Sequence, residues 1–346
     1  MSETRRPALL KTLCREAVLY EKAPGGKVRC LACAHRCLVA PGGSGRCAVR
    51  FNDGGSLKAP WGYVSGAAPD PIEKKPFFHV LPGARTLSFG MFGCNFTCDF
   101  CQNSAISGFR GQALSPIAAE PEALAAEAAA LGAKVVVSTY NEPLITAEWA
   151  AAVFAAAKGR GLRTAFVSNG YATPEAAAFL RPALDLWKVD LKTFSPENYR
   201  KACGAELAAV RTGLELIAAA GFWLEVVTLL IPGFNDSGEE IGEMAGYLAG
   251  LSRDIPWHLT AFHPDYLRTA APPTPAATLL RAREIALKKG LRYVYCGNSP
   301  GTGCENTVCP ACSRTLVERR GFSVKASVIG AGGKCPCGEK IPGIWN

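Results

Sequence analysis

The sequence lacks any unbroken apolar run of about 18 residues or more, which leaves no segment to cross a membrane as a helix. Its start, Met1 to Pro7, is polar and has no apolar stretch of the secretory kind, so a cytoplasmic chain is expected. A long basic run is missing too. The formal charge of +9 counts every cysteine as neutral, and metal-bound thiolates would offset part of it, so nucleic acid is not an expected partner. There is no solenoid-type repeat, and 49% apolar content is too high for a disordered chain.

What the sequence does have is cysteine, fifteen in 346 residues. A reducing compartment does not keep disulfides at that density, so metal ligation is the expected use. The cysteines fall into groups: Cys30, Cys33, Cys37 and Cys47; then Cys94, Cys98 and Cys101; then Cys304, Cys309, Cys312, Cys335 and Cys337. Cys14, Cys203 and Cys296 stand alone and read as small buried hydrophobes.

Between Arg85 and Asn298, β-branched runs alternate with Ala-rich stretches, the pattern of a parallel sheet with crossover helices. Strands are expected at Thr86 to Met91, Lys134 to Ser138, Thr164 to Ser168, Leu186 to Asp190, Leu224 to Leu230, His258 to Phe262 and Arg292 to Tyr295. Proline at or near the first helical position marks helix starts at Pro121, Pro174 and Pro196, the latter two behind the hydroxyl caps Thr173 and Ser195. Glu122 to Leu131 reads as a helix by propensity, not by amphipathic pattern. The expected fold class is α/β: a partial (β/α)6-type barrel over residues 84–299, with small Cys-rich metal-binding extensions at 1–83 and 300–346.

Cys94-x-x-x-Cys98-x-x-Cys101 follows the first of these strands, at the rim where parallel barrels build their active sites. A [4Fe-4S] cube takes four thiolates, and three close together leave one iron open for the amino and carboxylate groups of S-adenosylmethionine (SAM). The competing reading is a tetrahedral zinc site, which needs a fourth ligand such as His79.

With Phe100 before the last cysteine, this loop resembles the cluster motif of the radical SAM superfamily, and its flanks look like the branch of the pyruvate formate-lyase activating enzymes. The resemblance implies a radical SAM barrel with a [4Fe-4S] cluster and SAM as cofactors. It assigns Asn141 and Glu142, in Thr139-Tyr140-Asn141-Glu142-Pro143, to the SAM amino group; Ser168 and Asn169 to the ribose side; and Asp190 and Lys192 to the SAM carboxylate, with Lys192 also catalytic. Strand alternation puts Asp190 and Lys192 on one side, although a structural ion pair would do the same. Glu225 adds a polar group to its strand, and His263 or Tyr266 is expected to face substrate, with His263 catalytic.

Cys309-x-x-Cys312 and Cys335-x-Cys337 look like the two knuckles of a zinc ribbon around a β segment from Thr315 to Val328. The second knuckle is one residue short, which makes Cys304 an alternative ligand. Cys30, Cys33, Cys37 and Cys47 suit either zinc or a second iron–sulfur cluster, and spacing does not choose between them.

Across nearly the whole chain the motif order, ending in Ile341-Pro342-Gly343-Ile344-Trp345, resembles the radical SAM member of the AmmeMemoRadiSam system. That resemblance implies a Memo-like protein and an AMMECR-domain protein as partners, and an electron donor such as flavodoxin or ferredoxin. A protein or peptide is the expected substrate, and activation of a glycyl-radical enzyme is a variant of the same chemistry. The reading from another class is a non-enzymatic zinc protein that binds nucleic acid.

Overall fold

The computed structural model describes residues 12–109, 115–299 and 301–345. Its centre is one eight-stranded sheet: β1 (Gly66–Pro71), β2 (Arg85–Gly90), β3 (Val135–Ser138), β4 (Arg163–Ser168), β5 (Leu186–Asp190), β6 (Trp223–Leu230), β7 (Trp257–Ala261) and β8 (Val294–Gly297). The strands lie side by side in chain order. From β2 to β8 every pairing is parallel, as β-branched runs separated by crossover helices require, and β1 adds an antiparallel edge from upstream of the expected barrel start. Each expected strand is present, its ends within about two residues.

Six helices carry the crossovers: α1 (Pro121–Ala130), α2 (Ala147–Lys158), α3 (Pro174–Leu180), α4 (Leu207–Ala219), α5 (Gly238–Leu251) and α6 (Ala276–Lys288). The Thr173 hydroxyl accepts from Ala176 N to start α3, and Ser195 caps the short turn Pro196–Asn198 in the same way. The fold is an α/β partial barrel, open between β1 and β8 among the described residues. No helix among them is long and apolar enough to cross a membrane.

Upstream, short strands form two three-stranded sheets. Buried Arg50 docks this region on the barrel through a two-pronged ion pair with Glu148 of α2, both contacts 2.7 Å. Downstream, Thr307–Val308, Thr315–Arg320 and Ser323–Ser327 form a small antiparallel sheet, anchored where buried Arg319 meets Glu73 and the Phe78 carbonyl.

His79 lies at this second junction and is fully buried. One ring nitrogen is 2.6 Å from the Tyr295 hydroxyl and the other 2.7 Å from the Pro342 carbonyl. Burial pushes its pKa down to about 4, outweighing the nearby Glu225 carboxylate. The unfolded chain therefore binds the proton more tightly. The His79 contribution is whole above pH ~6.5 and drains away as pH falls towards ~4, a loss of about 3 kcal/mol. Urea midpoints measured across that window should show this slope in the wild type and a flatter profile in His79→Gln.

Candidate active site

The C-terminal ends of β2 to β8 surround a cavity of about 520 Å³, within the usual range for a small-molecule site. Cys94, Cys98 and Cys101 all face it from the loop after β2. The loop's path depends on Gly93. At φ +86° a Cβ there would lie 2.6 Å from the Cys47 carbonyl oxygen, so only glycine fits. Asn141 holds the same segment from β3, its amide accepting from Met91 N (3.1 Å) and donating to the Gly93 carbonyl (3.1 Å). On the far side Arg268 forks onto Asp99 at 3.0 and 2.8 Å.

The thiols fit an iron–sulfur ligand set. Among the described residues, only Cys309, Cys312, Cys335 and Cys337 bring their donor atoms all within 4.8 Å of one another. The loop thiols are spread more widely than that set, a spacing that suits a group larger than a single ion. Phe96 N lies 3.4 Å from Cys94 Sγ and the Ser107 hydroxyl 3.1 Å from Cys101 Sγ, polar partners suited to thiolate sulfur. Burial pushes the Cys94 and Cys101 thiols up, while contact with Cys203 and then burial do the same to Cys98, so ionisation waits on a metal. Cys203, expected as a plain hydrophobe, is buried beside a candidate ligand, on a π-helical turn Tyr199–Cys203. His79, the fourth ligand that a zinc reading of the loop needs, is committed to Tyr295 and Pro342.

Beside the thiols the structure gathers Glu142, Ser168 and Asn169 into one knot. The Glu142 carboxylate accepts from Ser168 Oγ (2.8 Å), Asn169 N (2.7 Å) and Leu144 N (3.0 Å). Burial nonetheless pushes it up to about 7, with Asp190 adding to the rise. Asn169 also donates to Asn95 Oδ1 at 2.7 Å, reaching the residue next to Cys94.

On β5 and just past its end, Lys188, Asp190 and Lys192 all line the cavity. Asp190 receives Lys188 Nζ at 2.5 Å and Lys192 Nζ at 2.9 Å. Burial alone would raise Asp190, but the two ammonium groups outweigh it and bring it to about 2. Lys188 was not expected from the sequence; reading back two residues from Asp190 on the same strand finds it.

His263 and Tyr266, expected to face substrate, do not line the cavity. Both are exposed, and the His263 ring meets the Gln102 side chain at 3.0 Å. They follow the end of β7, where the chain turns outward. The inward positions are His258 and Thr260 on the strand itself. His258 Nε2 is 2.7 Å from the buried Glu225 carboxylate, which also accepts from Phe78 N and His79 N.

Away from the cavity, Cys309 and Cys337 lie 3.7 Å apart, sulfur to sulfur, as do Cys312 and Cys335. The shortened knuckle closes the set without Cys304, which stands beside Cys296 instead.

A sheet of this topology with three rim cysteines defines a class, and residues 89–247 match the Radical SAM superfamily. The chain therefore carries a Radical SAM superfamily domain and is an enzyme, and that domain implies a [4Fe-4S] cluster and SAM. More particularly, it is 38% identical over 331 residues to an uncharacterized protein of Methanocaldococcus jannaschii, covering 94% of this chain and 98% of the other. It is also 40% identical over 65 residues to the benzylsuccinate synthase activating enzyme of Thauera aromatica, 19% of this chain and 20% of that protein. A domain of a pyruvate-formate lyase-activating enzyme from Bacteroides vulgatus superposes with TM-score 0.43 at 20% identity, over 47% of this chain and 98% of that one.

Proposed function

We propose that Cys94, Cys98 and Cys101 hold the [4Fe-4S] cluster and that the enzyme cleaves SAM reductively to act on a protein or peptide. The observation that carries this reading is one cavity with three thiols on one wall and Glu142, Asp190 and Lys192 beside them. Such a wall complements a zwitterion. Lys192 suits the carboxylate end of an amino acid and Glu142 the ammonium end, with Ser168 and Asn169 holding the Glu142 carboxylate in place. When bound, the cluster supplies an electron to the SAM sulfonium and so a 5′-deoxyadenosyl radical, which removes hydrogen from substrate. The protein's work is placement. Asn141 fixes the loop backbone, Asp190 aligns both lysines, and Glu225 orients His258 on the wall lined by β7.

A polypeptide substrate is supported by the named relative, whose target is another enzyme, and activation of a glycyl-radical enzyme is the narrower form of the same proposal. The motif order supports Memo-like and AMMECR-domain proteins as partners, and a flavodoxin- or ferredoxin-type protein as reductant. Fifteen free cysteines suit the cytoplasm. The C-terminal set suits structural zinc, and the N-terminal set suits a second metal site.

Anaerobic reconstitution with iron and sulfide, reduction with dithionite and an assay for 5′-deoxyadenosine test the core of this. Product should accumulate with SAM. An intact cluster that leaves SAM uncleaved would sink the reading.

A further inference from the structure

The N-terminal cysteines share a property with the loop cysteines that the C-terminal ones lack. Cys30, Cys33 and Cys47 are buried and Cys37 is partly exposed, yet no three of the set meet within the 4.8 Å that marks the C-terminal four. They are neighbours even so. Cys30 N donates to the Cys37 carbonyl at 2.9 Å, and the Cys33 thiol feels both Cys30 and Cys47. Peptide N–H groups converge on the sulfurs: Arg46 on Cys37 at 3.5 Å, His35 on Cys33, Val49 and Arg50 on Cys47. Four thiols set wider than a single ion, each within reach of its neighbours and three of them served by backbone donors, suit a cube with cysteine on every iron.

Where the set lies matters as much as its shape. It is packed on the back of the Cys94 to Cys101 loop, with the Cys47 carbonyl against Gly93 and a His35 ring nitrogen 2.9 Å from the Asn95 carbonyl. Asn95 is wedged between the two cysteine sets. Its side chain reaches the Cys33 thiol on one side, and its Oδ1 is 3.8 Å from Cys94 Sγ on the other. Asn95 Nδ2 is buried and has no nitrogen or oxygen acceptor, so the Cys33 sulfur is the group it is left to serve. Outward, Cys37 is only partly covered and neighbours exposed Arg46, which gives an approach from solvent.

We propose that Cys30, Cys33, Cys37 and Cys47 hold a second [4Fe-4S] cluster that relays electrons past Asn95 to the cluster on the Cys94 loop. This rests on the SAM-cleaving reading above. A low-potential one-electron protein donor of the flavodoxin or ferredoxin class is oxidised at the outer cluster. That cluster goes from the 2+ to the 1+ state and back as it passes the electron inward, with no atom transferred.

The test is metal analysis of anaerobically reconstituted full-length enzyme, with about eight irons and one zinc per chain expected. A Cys30→Ala, Cys33→Ala double variant should fall to about four irons. It should keep dithionite-driven SAM cleavage, because a small reductant reaches the loop directly, but lose cleavage driven by reduced flavodoxin. Should that variant fail to fold, Cys98→Ala serves in its place: the outer ligands are untouched, and about four irons should remain with a reduced-cluster EPR signal that SAM does not alter. About four irons and two zincs in the wild type would overturn the proposal, and so would flavodoxin-driven cleavage persisting in the double variant. Failure to cleave SAM with about eight irons present would instead overturn the reading on which it rests.

Discussion

Cys98→Ala enzyme, reconstituted and reduced like the wild type, is expected to make 5′-deoxyadenosine only at background level. In the proposed ligation the loop offers three thiols to a group that needs all of them, so losing one should remove the cofactor instead of mistuning it. The fall should therefore exceed the roughly 10- to 100-fold typical of changes to residues that only support a metal ligand. Cys203→Ala is the informative comparison. Its thiol touches Cys98 from the π turn Tyr199–Cys203, while Thr97 N donates to the Cys203 carbonyl at 2.9 Å. The backbone bond survives the substitution, so this variant should keep its cluster and stay within about tenfold of wild type. Product quantified by chromatography, with iron content measured on the same samples, separates the two. Equal activity in Cys98→Ala and wild type would remove the loop from the mechanism.

The contrast between these two cysteines shows which parts of the site are legible in sequence. Cys98 stands in a local motif, and the strand before it is marked by a β-branched run, so its position at the rim follows from neighbouring residues alone. Thr173 and Ser195 announce their helices in the same local way. Cys203 meets Cys98 across more than a hundred residues, through a turn that nothing nearby in the sequence signals. The same holds for His258 and Glu225, brought together because β6 and β7 pair in parallel with a register that sets Val227 opposite His258. His263 drew the expectation because it sits in a polar run after the strand. Alternation, applied strictly from Trp257, would have favoured His258 and Thr260. The seating of the N-terminal cysteines behind Gly93 is likewise tertiary. Gly93 shows only as a glycine before a cysteine until the Cys47 carbonyl fills the space a side chain would take.

Asp190→Asn is expected to damage both stability and SAM binding, and the two can be pulled apart. The wild-type carboxylate is flanked by two ammonium groups, one of them on Lys188, which is almost wholly buried. Neutralising the carboxylate leaves both cations facing each other with nothing between them. Breaking a buried pair from one side costs about 3–5 kcal/mol, and the quarter of the Asp190 side chain still exposed towards the cavity points to the lower end. Acid should reproduce the effect in the wild type. The folded pKa lies near 2, below the ordinary value of 3.8, so the stabilisation is whole above pH ~4 and fades as pH falls towards ~2, by about 2.5 kcal/mol. Urea midpoints for the two proteins should therefore converge across that window. Lys188→Met in the Asp190→Asn background removes the stranded cation and should restore most of the lost stability. It should not restore SAM affinity, because Lys192 still lacks the carboxylate that aims it. Recovery of stability and SAM binding together would show that Asp190 serves only the fold.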